Sequence, residues 1–265
     1  MNAFMTRVTG RGTAVAKSLI KKFLLMGRFP SKTFEYAPQT GREIPVMMCL
    51  WNRPGRVVDM MRQLDRQDFA RGVELYLWNN NRKDHRRYLE LIASYTGTAA
   101  LHRVCVVQSP FNLGSIARFY WARKLALAGR VGPVIVVDDD EDVTDDFVTI
   151  CAEIYSPDVA YGFWAWMMGK TYWDRTPAVV GGAVDHVGPG GMVCDITLFR
   201  DPAFFREMPL QFWLLDDVWF SYFAKKKGLT LSKLPVDITF VLPETNQHHT
   251  QGPMKDEFFK YLYTR

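Results

Sequence analysis

The residues best suited to chemistry form an acidic run from Asp138 to Asp142, with Glu141 as its fourth member. The run follows directly on the apolar segment Val134 to Val137. Carboxylates held together at the end of a buried strand repel one another, and a divalent cation is the simplest way to offset that repulsion. Because no Cys or His is close in the sequence, these hard oxygen ligands favour Mg²⁺ or Mn²⁺, which commonly bridge a carboxylate and the phosphates of a nucleotide.

An alternative role for part of the run lies at the N-terminus of the helix predicted over residues 144–154. Negative side chains stabilise the positive end of a helix dipole, and Asp142, Asp145 and Asp146 suit that position. Asp138 and Asp140 suit it poorly, because they stand at the strand end and precede the helix by several residues. We therefore expect these two carboxylates to belong to a functional site.

Short apolar segments alternate with helical patterns from residue 44 onward, which predicts βα units and a mostly parallel sheet. The predicted elements before the acidic run are, in order, a strand over Ile44 to Leu50, a helix from Pro54, a strand over Val73 to Trp78, a helix capped by Asp84, a strand over Leu101 to Val107, and a helix from Ile116 to Ala128 capped by Ser115. The segment Val134 to Val137 lacks polar alternation, which predicts a central strand buried on both faces. Ligands of open α/β sheets bind at the carboxyl ends of such strands, where the acidic run begins.

An apolar strand that ends in Asp-x-Asp after three βα units resembles the nucleotide-sugar-binding half of the GT-A glycosyltransferases. The segments that carry the resemblance are Leu50-Trp51-Asn52-Arg53-Pro54, Trp78-Asn79-Asn80 and Val136-Val137-Asp138-Asp139-Asp140. They are most similar to exostosin-like (family 64) members and, more loosely, to family 2 glycosyltransferases. The similarity covers about residues 44 to 245 and implies an α/β GT-A fold, with a mostly parallel central sheet flanked by helices.

The resemblance also implies which residues surround the nucleotide. These are Asn52, Arg53, Asn79, Asn80, Asn112, Gly114, Arg118, Asp138 and Asp139. Amide groups can read the edges of uracil, and an arginine offers a planar fork to phosphate. By the same resemblance Asp138 contacts the ribose and Asp140 binds the metal, Mn²⁺ or Mg²⁺, while a shift of one residue within the triple Asp would bring in Asp139.

Two late motifs extend the implied site. Asp216-Asp217-Val218-Trp219 is similar to the acidic pair that begins a helix on the acceptor side of these enzymes, where one carboxylate removes the acceptor proton in inverting relatives. A single Asp there would simply cap the helix, but a pair followed by Trp219, which could stack on a sugar, favours function. We expect Asp217 to be the general base and Asp216 its neighbour or cap. His249 is implied as a further metal ligand, with a solvated side chain as the alternative.

A glycine-rich segment, Gly188-Pro189-Gly190-Gly191-Met192, precedes a predicted strand. In the resembled family such a loop brings backbone amides close to the donor sugar. The segment lacks the GxxxxGK[ST] pattern of a phosphate-binding loop. An ordinary turn is therefore the alternative for this segment.

The basic charge is concentrated at the N-terminus. Residues 1–34 contain seven basic and no acidic side chains, whereas the other 231 residues contain 26 basic and 28 acidic ones. A near-neutral body argues against nucleic-acid binding. Residues 13–26 have the spacing of a basic amphipathic helix, with an apolar side of Val15, Leu19, Ile20, Phe23 and Met26 and a basic side of Lys17, Lys21 and Lys22. Such a helix either docks its apolar side on the domain or lies on an anionic membrane. We expect residues 1–36 to form this segment and residues 37–265 a single catalytic domain, with a nucleotide-binding half (37–142) and an acceptor-binding half (143–265).

Composition fits this interpretation. With 265 residues, 48% hydrophobic and 23% charged, the chain is neither disordered nor fibrous, and its four scattered cysteines form no CxxC pair, which agrees with a reducing cytoplasm. We expect a cytoplasmic enzyme, alternatively peripheral at the inner face of the membrane.

The function implied is that of a metal-dependent glycosyltransferase, of the hexosyl- or N-acetylhexosaminyl-transferase type. It would transfer a sugar from a UDP-sugar to a saccharide or glycolipid acceptor in glycan or polysaccharide synthesis, with inversion or retention left open. The alternatives are a haloacid-dehalogenase-like phosphatase, which also has Asp-x-Asp after a buried strand, and a non-catalytic nucleotide-sugar or glycan-binding module.

Overall fold

The computed structural model describes residues 19–97, 99–241 and 252–263. Its helices are α1 (19–26), α2 (Pro54–Asp65), α3 (His85–Ala93), α4 (Phe119–Leu127), α5 (Phe147–Ile154), α6 (Ala203–Arg206), α7 (Asp216–Lys226) and α8 (Gly252–Tyr263). Its strands are β1 (Ser31–Glu35), β2 (Ile44–Leu50), β3 (Val73–Asn79), β4 (Leu101–Gln108), β5 (Pro133–Val136), β6 (Glu141–Val143), β7 (Val159–Gly162), β8 (Ala165–Met168), β9 (Arg175–Pro177), β10 (His186–Val187), β11 (Met192–Asp195), β12 (Thr230–Lys233) and β13 (Ile238–Phe240).

The central sheet has the strand order β1-β4-β3-β2-β5-β11-β7-β12. The neighbours β4, β3, β2 and β5 run parallel, as do β7 and β12, while β11 lies antiparallel between β5 and β7. The predicted mostly parallel sheet is therefore confirmed. Apolar residues pack on both faces of this sheet, which is why β5 contains no polar alternation.

The predicted helix after the Asn112 loop begins later than expected, and Ser115 as its cap is wrong. Ser115 opens a short 3₁₀ turn, Ser115–Arg118, and α4 starts only at Phe119. The Ser115 hydroxyl lies 2.5 Å from a carboxylate oxygen of Asp216 and does not cap its own helix. The Ser115 hydroxyl thus donates to Asp216, which is distant in the sequence, and does not cap the adjacent helix.

Two small sheets and α8 complete one side of the molecule. The strands β10, β8 and β9 form an antiparallel sheet, and β13 pairs with β6 directly after the acidic run. The segment between β8 and β9 is attached to α8, since the Tyr172 backbone N–H donates to Asp256 and the Trp173 indole N–H donates to the Gly252 carbonyl. This attachment brings α8 against the three-stranded sheet.

The N-terminal helix α1 docks on the domain only in part through the side expected. Leu24 is fully buried, and the Lys21 ammonium donates to the Arg206 and Met208 carbonyls, so this lysine is not left in water. Of the predicted apolar side, Ile20 packs against the core, whereas Leu19, Phe23 and Met26 are each about half exposed. Val15 and Lys17 lie outside the described residues, within which no helix is long and apolar enough to cross a membrane.

Candidate active site

The acidic run gathers at the carboxyl end of β5, where a cavity of about 490 Å³ opens. Asp138 accepts a 2.5 Å hydrogen bond from Arg118, and Asp139 accepts one of 2.6 Å from Arg53. Asp140 lies 3.2 Å from the same Arg53 guanidinium. All five of these side chains line the cavity. Two arginines therefore hold three neighbouring carboxylates at the strand end.

Glu141 also lines the cavity, although no local signal distinguishes it from the rest of the acidic run. Its carboxylate accepts a 2.6 Å hydrogen bond from the Trp164 indole and one of 3.3 Å from the Asp138 backbone N–H. Burial raises the pKa of Glu141, and the charge of Asp138 raises it further. A carboxylate in this position is most readily ionised when a cation is close.

The pKa values of Asp139 and Asp140 are raised as well. Burial raises the pKa of Asp139 to about 7 in spite of the opposing charge of Arg53. Burial and the neighbouring Asp138 also raise the pKa of Asp140. The strand end thus holds more carboxyl groups than its two arginines can pair, and a bound cation would favour their ionised forms.

The carboxylate oxygens at this strand end suit a hard divalent cation. The protein would supply only some of the ligands of that cation. Among the described residues no three His, Cys, Asp or Glu side chains converge as a complete metal site. Mg²⁺ is commonly held by one or two carboxylates together with substrate phosphates, and Asp138 and Asp140 offer such oxygens at the cavity wall. His248 and His249 lie outside the described residues.

Gly190 lies directly against the carboxylates that follow β5, a group of side chains from Asp138 to Glu141 that we call the acidic edge. Gly190 approaches so closely that a Cβ added to it would lie 2.4 Å from Glu141 Oε1 and 2.7 Å from Asp138 Oδ2. Gly188 and Pro189 line the same cavity. The glycine-rich segment is therefore packed directly on the carboxylates that the sequence singled out.

The residues expected around the nucleotide divide into two groups. Arg53, Asn80, Asn112, Gly114, Arg118 and Asp138 to Asp140 line the cavity. Asn52 and Asn79 do not line it. Asn79 is fully buried, and its side-chain amide nitrogen lies 3.0 Å from the His85 ring. The structure therefore separates these two amides from the other predicted residues.

Asn80 shapes the cavity through the loop beside it. Its side-chain amide donates to the Gly114 carbonyl at 3.0 Å and accepts from the Leu113 backbone N–H at 3.1 Å. Gly114 has a φ of +85°, and a Cβ there would lie 2.5 Å from the Trp213 carbonyl oxygen. Only glycine fits this close approach without strain. The loop thus connects the end of β3 to the segment that precedes α7.

Arg118 joins the two halves of the site. Its buried guanidinium contacts Asp138 at 2.5 Å and Asp216 at 3.3 Å, and it donates to the Ser115 and Val137 carbonyls. These two carboxylates and two carbonyls come from separate parts of the chain. A substrate phosphate would meet an arginine that is already fixed by its neighbours.

The acidic pair at the start of α7 faces two different environments. Asp216 is buried against Ser115 and Arg118, and burial raises its pKa to about 6 although the Arg118 charge opposes this. Asp217, which like Asp216 lines the cavity, lies beside Lys255 and Tyr172. The divergence follows from the roughly 100° rotation between successive helical residues.

Asp217 is the centre of a network that the sequence did not reveal. Its Oδ2 accepts hydrogen bonds from Lys255 at 2.6 Å and from the Tyr172 hydroxyl at 2.8 Å, and His186 Nε2 lies 3.9 Å away. Burial alone would raise the pKa of Asp217, but the Lys255 ammonium and the hydrogen bonds lower it well below the usual range. Burial lowers the pKa of His186 to about 4, so its ring is neutral at pH 7. Asp217 is thus a fixed carboxylate that stays ionised.

Several cavity residues carried no specific sequence signal. Trp164, Trp166, Tyr172, Arg175, His186 and Lys255 line the cavity in addition to the predicted residues. The only general signal for them is the high aromatic content of the chain, 14% with 8 Trp, since surplus Trp and Tyr tend to line pockets. Lys255 reaches the site from α8, and nothing in its local sequence predicts that placement.

The chain matches known proteins only in three dimensions, since no protein-family model and no curated protein matches it. It is similar to GalNAc-T7 in complex with UDP, GalNAc and Mn²⁺, with a TM-score of 0.56 and 14% identity over 76% of this chain and 44% of that one. It is also similar to residues 1–349 of S. aureus TarS in complex with UDP (TM-score 0.48, 16% identity, 72% of this chain and 57% of that one) and with UDP-GlcNAc (TM-score 0.49, 16% identity, 72% and 56%).

This chain therefore spans about half the length of the solved chains that it matches. The similarity to GalNAc-T7, together with the strand order, shows the GT-A fold that the sequence predicted. A haloacid-dehalogenase fold, which the phosphatase alternative requires, is not the fold of this chain. The exostosin-like assignment within the GT-A fold stays a prediction.

The Gly190 contact generates a test of the acidic edge. We expect Gly190→Ala to fold, because the added methyl meets the tips of two side chains, but to displace the Glu141 and Asp138 carboxylates. Calorimetric titration with UDP in the presence of Mn²⁺ should give binding at least about tenfold weaker than wild type.

The matched control is Gly55→Ala in α2, where an added Cβ meets nothing within 4 Å. This variant should bind UDP as the wild type does. Normal UDP binding by Gly190→Ala, with an unchanged melting temperature, would contradict a role for this edge in binding.

Proposed function

We propose that this protein is a metal-dependent glycosyltransferase that transfers a sugar from a UDP-sugar to a saccharide or glycolipid acceptor. The observation that carries the proposal is a single cavity lined by two chemically distinct groups of side chains, which we call its donor end and its acceptor end. One end holds the carboxylates and arginines that follow β5, and the other holds Asp217 in its network with Lys255 and Tyr172. A non-catalytic binding module would have no need for the second end.

The donor end has the groups that a nucleoside diphosphate requires. Trp51 offers a ring for stacking on a base, and the Asn112 amide offers hydrogen bonds to its edge. Asp138 and Asp140 would hold Mn²⁺ or Mg²⁺, which when bound neutralises the charge of the departing diphosphate. GalNAc-T7, which shares the fold, is in complex with UDP and Mn²⁺, and this supports the choice of nucleotide and metal.

The acceptor end has a candidate general base. The hydrogen bonds that Asp217 accepts from described side chains all go to Oδ2, which leaves Oδ1 for the acceptor hydroxyl. In an inverting reaction Asp217 would take the hydroxyl proton as the acceptor oxygen attacks the anomeric carbon in a single displacement. Lys255 and Tyr172 hold this carboxylate in one orientation, which limits the directions from which a hydroxyl can approach.

We expect Asp217→Asn and Asp216→Asn to have different effects. Asp217→Asn removes the base but keeps the shape of the side chain, so transfer from the UDP-sugar should fall by about 10² to 10⁴ while UDP affinity is retained. Asp216→Asn removes one of the two carboxylates that face the buried Arg118, so it should mainly lower the melting temperature. The measurements are turnover at saturating donor and acceptor, and UDP binding by calorimetry.

The outcomes separate the roles clearly. Normal turnover by Asp217→Asn with loss of turnover by Asp216→Asn would exchange the two assignments. Normal turnover by both would remove the acidic pair from the chemistry and would favour a retaining mechanism without this base.

We further propose that the enzyme is cytoplasmic and contacts the inner face of the membrane through α1. Leu19, Phe23 and Met26 lie at helical spacing and are 53, 47 and 49% exposed, with the exposed Lys22 among them. Seven basic and no acidic residues occur in residues 1–34, which complements an anionic lipid surface. The four cysteines are free, in keeping with a reducing compartment.

We expect wild-type protein to co-sediment with phosphatidylglycerol-containing vesicles, and we expect binding to weaken as salt is raised. Phe23→Asp should reduce this binding strongly, because it places an acid in the apolar surface. Val179→Asp is the matched control, since Val179 is an exposed apolar residue outside α1. Equal binding to neutral vesicles, or no effect of Phe23→Asp, would contradict the proposal.

A further inference from the structure

Arg175 differs from the other cationic side chains of the cavity. Four lysine and arginine side chains line this cavity, and three of them, Arg53, Arg118 and Lys255, contact carboxylates at 3.3 Å or less. Arg175 forms no ion pair with an acidic side chain anywhere in residues 19–97, 99–241 and 252–263. It is therefore a cation whose charge no described neighbour offsets.

Aromatic rings hold the Arg175 guanidinium in place. Its central carbon lies 4.4 Å from the ring centre of Trp166, 4.8 Å from that of Tyr172 and 5.0 Å from that of Trp173. Ring faces attract the charge of a guanidinium but do not accept its in-plane N–H groups as carbonyls or carboxylates do. The Arg175 side chain also donates no hydrogen bond to the described part of the chain, so its N–H groups remain available to a ligand.

The framework around Arg175 is fixed at several points. Arg175 begins β9 and pairs with Met168 of β8, and the Tyr172 and Trp173 segment is attached to α8 by hydrogen bonds to Asp256 and Gly252. A guanidinium restrained in this way loses little conformational freedom on binding an anion. Planar arginine N–H groups match the two oxygens of a carboxylate or phosphate.

The position of Arg175 assigns it to the acceptor end. The Tyr172 ring that contacts Arg175 carries the hydroxyl that donates to Asp217 at 2.8 Å. Within that end Asp217 and Lys255 offset one another and His186 is neutral at pH 7, so Arg175 contributes the remaining positive charge. The Tyr172 side chain thus separates the Arg175 guanidinium from Asp217, the candidate base.

We propose that Arg175 binds an anionic group, a phosphate or carboxylate, that the acceptor carries close to the hydroxyl that is glycosylated. This inference rests on the proposed function, because it takes the Asp217 end of the cavity to be the acceptor end. It specifies the substrate class: a charged saccharide or sugar phosphate and not a neutral glycan. Trp166, which contacts Arg175 and lines the cavity, offers the ring surface against which the sugar would pack.

The test uses inorganic phosphate and acetate as probes on full-length protein saturated with UDP and Mg²⁺, so that the donor end is occupied. The Arg175 Nε–Hε signal in ¹⁵N NMR, assigned by its loss in Arg175→Met, should shift saturably with phosphate or acetate. Calorimetry should show that Arg175→Met lowers the affinity for the effective anion by about tenfold, the amount expected for a charged hydrogen-bonded contact. UDP affinity should remain within about twofold of wild type.

Arg71→Met is the matched control. Arg71 also stacks on a ring, 4.8 Å from the centre of Phe69, but it does not line the cavity. This variant should keep the anion affinity of the wild type, and both variants should keep its melting temperature. An Arg175 signal that does not respond to either anion would overturn the inference.

A further result would also overturn the inference. If Arg175→Met weakened UDP binding by about tenfold, the guanidinium would serve the donor diphosphate and not the acceptor. Failure of wild-type protein to bind UDP at all would contradict the proposed function. The phosphate and acetate titrations of unliganded protein would still report whether Arg175 binds an anion.

Discussion

The site depends on how the buried Arg118 guanidinium is neutralised. A buried arginine is costly unless carboxylates and carbonyls satisfy it, and Arg118 meets this requirement with Asp138, Asp216 and two backbone oxygens. Asp138 follows β5 by two residues, and Asp216 begins α7. Since one charge binds both carboxylates, the end of the central strand and the start of a distant helix are held at a defined separation.

The same constraint explains why the two ends of the cavity differ in charge. Arg118 and Arg53 compensate only part of the acidic run, and burial raises the pKa of Asp139, Asp140 and Glu141. At the other end Lys255 compensates Asp217 fully, and Arg175 adds a positive charge. A cation is therefore favoured at one end and an anion at the other. This polarity suits a reaction in which a metal-bound diphosphate departs from one side and a charged acceptor approaches from the other.

Local signals in the sequence predicted the framework well. The strand Ile44–Leu50 has the predicted bounds, and β5 was recognised because an unbroken apolar segment ending in acids is a local pattern. The antiparallel insertion of β11 between β5 and β7 could not be predicted, because strand pairing over such distances leaves no local trace. Ser115 was misjudged for a similar reason, since its true partner is Asp216.

In the site, too, some residues were predictable from local sequence, whereas others depend on long-range packing. Asn79 and Asn80 were both expected near the base, but successive side chains of an extended chain point to opposite sides, so only Asn80 lines the cavity. That distinction was available from the sequence alone. The contributions of Lys255, Tyr172 and Arg175 were not, because they depend on the packing of α8 against the segment between β8 and β9.

The central claim is that the acidic edge after β5 binds a nucleoside diphosphate together with a divalent cation. Calorimetric titration of UDP into wild-type protein and Asp140→Asn, each with and without Mn²⁺, tests it most directly. We expect wild type to bind UDP at least about tenfold more tightly with Mn²⁺ than without it, and Asp140→Asn to lose this enhancement while remaining folded. UDP binding that is unaffected by Mn²⁺ in wild type would contradict the account, and an enhancement retained by Asp140→Asn would move the metal contact to Asp139.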